Sequence, residues 1–104
     1  SPIGRYAAAL ALLVLAENAR AAEVAATLRG RDDFPPAVAD SLTAVAAGDA
    51  GAYEGAIRAL LADFERRDEY LEDTPVADTV LALQVLAGER GLAVHLSSPI
   101  LPDA

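Results

Sequence analysis

The sequence predicts an all-α fold of about five short antiparallel helices, finished by an extended C-terminal strap. Three observations predict it. Apolar residues recur at spacings of three, four and seven, and nowhere alternate long enough to make a strand. Cap-plus-proline starts and glycine stops cut the chain into helix-sized pieces. Much of the 54% hydrophobic content is alanine, which favours helix but fills core volume poorly, so Leu, Val and Ile must complete the core.

Ser1 followed by Pro2 opens a first helix over 2–16, with Ile3, Tyr6, Leu10 and Leu13 at helical spacing. Leu12, Val14 and Leu15 fill its other side, so this helix is expected to be apolar nearly all round and central to the bundle. The same apolar run, preceded by Arg5, has the look of a secretory segment. It is too short to span a bilayer, however, and Glu17, Asn18 and Arg20 close it as they would close a helix.

A second helix over 19–29 offers Ala21, Val24, Ala25 and Leu28, with Gly30 as its stop. After a loop at 31–34, Pro35 and Pro36 open a third helix with Val38, Leu42 and Val45 as its stripe. Gly48 stops it, and Asp49 is placed to cap the fourth. That helix carries the cleanest amphipathic pattern, through Tyr53, Ile57, Leu60, Leu61, Phe64 and Leu71. Glu54 with Arg58, and Asp63 with Arg67, are spaced as solvent-side ion pairs.

Thr74 and Pro75 start a fifth helix with Val76, Val80, Leu83 and Ala87 facing inward, and Gly91 ends it after Arg90. Pro99 and Pro102 keep the remainder from being helical, and its apolar residues suggest a strap over the bundle. The 104 residues read as one domain, and a start at Ser1 without methionine leaves room for native residues upstream. Short turns imply antiparallel neighbours, in a bundle or in stacked helical hairpins of tetratricopeptide-like shape.

Composition narrows the function. Eight basic residues, all arginine, stand against 16 acids, for a net charge of -8. Such a chain repels phosphate backbones, and with aromatics at 5% and no Trp it has few stacking platforms, so nucleic-acid binding is disfavoured. A basic protein partner suits it better. The absence of cysteine removes disulfides and thiolate metal sites and fits a cytoplasmic protein.

The densest chemistry falls at the junction of the fourth and fifth helices. Asp63, Glu65, Asp68, Glu69, Glu72, Asp73 and Asp78 face only Arg66 and Arg67, so seven acids less two bases place -5 of the -8 in this stretch. A solvated helix face is the plain reading of such a run. Against it, Glu69, Glu72 and Asp73 crowd a helix C-terminus, where the dipole disfavours negative charge. Glu65, Asp68, Glu69, Tyr70, Glu72 and Asp73 are therefore expected to dock a basic protein partner, with Tyr70 as anchor.

Other chemistries lack their parts. A di-iron bundle needs Glu-x-x-His pairs, and the sole histidine, His95, lies outside the helices with Leu92 three residues before it. The acids lack the spacing of a calcium loop. Gly48, Gly51 and Gly55 lack the Lys-Ser/Thr of a phosphate loop and suit a cap and close helix packing. His95, Ser97, Ser98 and Asp103 contain the letters of a hydrolytic triad, but on a proline-rich tail rather than a rigid scaffold. No cofactor, metal or catalytic residue is assigned.

From 49 to 102 the layout DAGAYEGAIRALLADF, a charged junction, then VADTVLALQVLAGERGLAVHLSSPILP resembles the C-terminal part of helical immunity proteins of bacterial toxin systems, the immunity protein 49 type. Arg90, Gly91 and Leu92, followed by Ser98, Pro99, Leu101 and Pro102, carry the likeness. The resemblance implies an all-helical protein that neutralises a toxin by binding it. The expectation is thus a non-enzymatic interaction domain occluding a basic partner. Alternatives are a tetratricopeptide-like adaptor, or a module self-associating through its first helix or its strap. A further one is a small-molecule-binding or enzymatic bundle using carboxylates around Glu65 and Glu69.

Overall fold

Ser1 Oγ accepts the Gly4 amide at 3.1 Å and Pro2 follows it, and on that cap the first helix, α1, forms over Pro2–Val14. The computed structural model describes residues 1–66 and 76–96. The other helices are α2 (Asn18–Leu28), α3 (Pro36–Ala47), α4 (Ala50–Arg66) and α5 (Val76–Glu89). The protein is all-α, and no strand occurs among the described residues.

Three helices end in the same way. Beyond α3, α5 and α1, one residue takes a left-handed conformation, and the amides that follow fold back onto the last turn. Gly48 (φ 69°) and Gly91 (φ 72°) serve α3 and α5, with Asp49 N bonding Ala44 O and Leu92 N bonding Ala87 O. At α1 the left-handed residue is Ala16 (φ 60°), and Glu17 N reaches Leu12 O at 2.8 Å. Asp49 also caps α4, its Oδ1 accepting the Ala52 amide at 3.1 Å.

The core is built from Leu13, Leu28, Leu42, Val45, Tyr53, Ile57, Leu60, Val80 and Leu83, all fully buried. They are the positions that helical spacing puts on one stripe of each helix. Successive helices pack as antiparallel neighbours from α1 to α4, and α3 touches all four others.

This corrects the expectation for the first helix. α3, not α1, is central: Val38, Ala39, Ser41, Leu42, Ala44 and Val45 are buried around most of its circumference. Ala39, Ser41 and Ala44 are small enough for neighbours to approach from several sides, and the buried Ser41 hydroxyl is satisfied by Ala37 O at 2.7 Å. α1 buries only Ala9 and Leu13, leaving Ile3 and Val14 in solvent.

The strap begins as expected. Leu92 is buried, and Val94 and Leu96 pack against the core. Gln84 on α5 fixes it: its Nε2 donates to Val94 O, and its Oε1 accepts Val94 N at 3.2 Å. The same Oε1 accepts the Tyr53 hydroxyl at 2.7 Å, joining α4, α5 and the strap through one side chain. Arg58 Nη2 donates to His95 O at 3.4 Å, while its Nε pairs with Glu54 as the sequence spacing anticipates.

Arg90 closes the circuit between the first and last helices. Its Nη2 donates to Leu13 O and to Asn18 Oδ1, each at 2.8 Å, and its Nη1 to Leu86 O at 3.1 Å. A guanidinium is thereby set at the C-terminal end of α1, where the helix dipole favours positive charge.

Candidate functional site

Of the acidic set expected to dock a partner, Glu65 is exposed near the end of α4; Asp68, Glu69, Tyr70, Glu72 and Asp73 lie outside the described residues. His95 is exposed, and its backbone carbonyl accepts from Arg58. Ser97, Ser98 and Asp103 lie outside the described residues as well. Among the described residues no three His, Asp or Glu side chains gather as a metal site, and no helix is long and apolar enough to cross a membrane.

What the structure does build is a groove of about 550 Å³ between the outer faces of α3 and α4. On α3, positions 37, 40, 44 and 47 follow helical spacing; on α4, positions 52, 55, 56 and 59 do the same. Ala44, Ala47, Ala52, Ala56 and Ala59 make the floor and walls, so two packed helices carry a trough where longer side chains would have made a ridge. Gly55 deepens it: a Cβ there would meet nothing within 4 Å. This corrects the reading of Gly55 as a close-packing glycine; it faces open space.

Charge sits on the rim. Arg29 Nε pairs with Asp40 Oδ1 at 3.1 Å, both side chains about half exposed, so the two neutralise one another. Asp49 at the α3–α4 turn is the other carboxylate of the lining; it caps α4 and has no ion-pair partner among the described residues. The groove therefore offers apolar contact along its length and negative charge at one end, an arrangement that receives a side-chain ridge rather than one that attacks a bond.

The groove was not legible from apolar periodicity, because alanine registers there as a helix former and not as one wall of a concavity. The signal was present all the same: alanine and glycine repeated at three- and four-residue spacing on two helices joined by the tight Gly48–Asp49 turn. No family model, no curated protein and no solved structure matches this chain.

Proposed function

We propose that this domain is a protein-binding module that takes a basic amphipathic helix of a partner into the α3–α4 groove. The observation that carries the reading is the alanine-walled trough itself, on a chain whose net charge is -8. Small walls admit the apolar ridge of a docking helix at close range. The net negative charge of the chain, with Asp49 at one end of the groove, favours cationic flanks and repels acidic competitors.

Glu65 belongs to the same helix as one groove wall, so the acidic stretch foreseen as the docking element begins on the element that bears the trough. The likeness to toxin-immunity proteins gives the partner a concrete form, a toxin whose basic surface is covered by this domain. Binding in that case acts by occlusion, with no chemistry on the partner.

The test is selection of helical peptides from a displayed library against the purified protein, with counter-screening against Ala59→Trp. Ala59 is an exposed groove residue, so the indole fills the trough without entering the core. Selected peptides are expected to carry Lys or Arg beside an apolar stripe and to bind A59W at least about tenfold more weakly, a loss of about 1.4 kcal/mol. Peptides without a basic excess, or with equal affinity for A59W, would overturn the reading.

A further inference from the structure

The body of the protein holds its own strap as a receptor holds an extended peptide. Along 92–96 burial alternates: Leu92 is buried, Val94 and Leu96 are partly buried, and Ala93 and His95 between them are exposed. Side chains turned inward at every second position are the pattern of extended chain, which makes no bonds of its own to its backbone. Gln84 supplies them here. Its side-chain amide donates to Val94 O and accepts Val94 N, the two-bond rung that a neighbouring strand would offer.

Arg58 Nη2 adds a bond to His95 O, so α4 and α5 each grip a main-chain atom of the strap. Those two helices meet far more sparsely than α3 and α4 do, and the strap bridges the furrow between them. None of these bonds uses a side chain of the strap. What the furrow selects is therefore an extended backbone with apolar residues at alternate positions, not the particular residues that fill it.

We infer that the α4–α5 furrow is a binding site for an extended segment of another protein, with apolar side chains at alternate positions, and that the strap closes it in cis. The strap shows the occupant's chemistry directly, since it is the occupant now seated. The site is also built before anything enters it. Tyr53, buried in the core, donates its hydroxyl to Gln84 Oε1 at 2.7 Å, which fixes the end of the amide that faces an incoming N–H.

Exchange of occupants is favoured by the way the strap is fastened. It is short, it belongs to no ladder, and Val94 and Leu96 are only partly covered, so little apolar burial resists its release. Gly91, at positive φ immediately before it, is a residue able to redirect the chain. Tethering nevertheless holds the strap at an effective concentration on the order of millimolar, so a rival must make more contact than the strap does, or meet a weakened strap. The inference does not use the α3–α4 groove: that trough takes a helix, whereas this furrow takes an extended backbone.

Fluorescence anisotropy tests it with the labelled, end-blocked peptide LAVHL, the strap's own sequence, and the full chain carrying Val94→Pro. That substitution removes the N–H that Gln84 accepts and unseats the strap in cis. The peptide is expected to bind the Val94→Pro chain at least about tenfold more tightly than the wild type, whose site is occupied. Adding Gln84→Ala, or placing proline at the peptide's centre, is expected to weaken binding at least about tenfold. Far-UV circular dichroism verifies the helices, and Leu96→Asp, at the partly exposed end of the strap, takes the place of Val94→Pro if that chain does not fold. A folded variant that binds no peptide up to about 1 mM overturns the inference, as does an affinity equal to that of the wild type or unchanged by Gln84→Ala or by the peptide's proline.

Discussion

Ala16 stands where two other helices of the protein use glycine, and it is the one non-glycine residue at positive φ among those described. Its Cβ crowds the following carbonyl in the left-handed region, a cost of about 1–2 kcal/mol against which the closing bonds from Ala16 N and Glu17 N must work. Ala16→Gly is therefore expected to raise the unfolding free energy by about 0.5–1 kcal/mol, after allowance for the greater freedom of glycine in the unfolded chain. Urea denaturation with an unchanged m-value checks it.

Tyr53 makes a second residue-scale case. Burial pushes its phenol up to about 12, because the phenolate would sit in the core without water. The unfolded chain loses that proton at about pH 10, so the contribution is complete below pH 10 and is lost as pH rises toward 12. Unfolding free energy should fall over that interval by on the order of 2 kcal/mol more in the wild type than in Tyr53→Phe, which cannot ionise. Paired urea titrations at the two ends of the interval measure the difference.

At the scale of elements, boundaries were the most readable feature. Ser1, Gly48, Asp49 and Gly91 act as their types and positions foretell, since a cap is a local matter of one side chain and a few amides. Which helix would be central was not readable from apolar content. α1 has the richer apolar sequence, but α3 has the small residues that let several partners approach, and closeness of approach decides centrality. The groove escaped notice for the same reason, since its alanines matter through the room they leave.

The strap shows what an element gains from one long-range contact. Three hydrogen bonds converge on Gln84, two of them to the backbone of Val94, so a stretch with no ladder of its own is held in register. Gln84→Ala should let the Val94 amide exchange at least about tenfold faster while α3 amides keep their protection. Hydrogen exchange followed by NMR separates this local release from global loss of stability.

For the whole molecule, charge is unevenly placed. Of the 16 acids only Asp78 and Glu89 fall within α1 and α5, and the exposed large apolar side chains among the described residues, Ile3, Val14, Leu15, Leu81 and Val85, lie on those helices or next to α1. Salt is therefore expected to weaken capture of a cationic helix in the trough, and peptide affinity measured at low and high NaCl checks it. The acidic stretch read as a docking site contributes one described member, Glu65, so the sequence located the charge of this molecule more surely than the concavity that would use it.

Arg90 has a consequence for how the chain comes together. Its bond to Leu13 spans 77 positions, so α1 has its final turn completed by a residue just beyond α5. The α1–α2 hairpin is therefore not finished by its own residues. A nascent chain that has emerged only through α4 still lacks the hand that grips α1, which arrives with the residue just beyond α5.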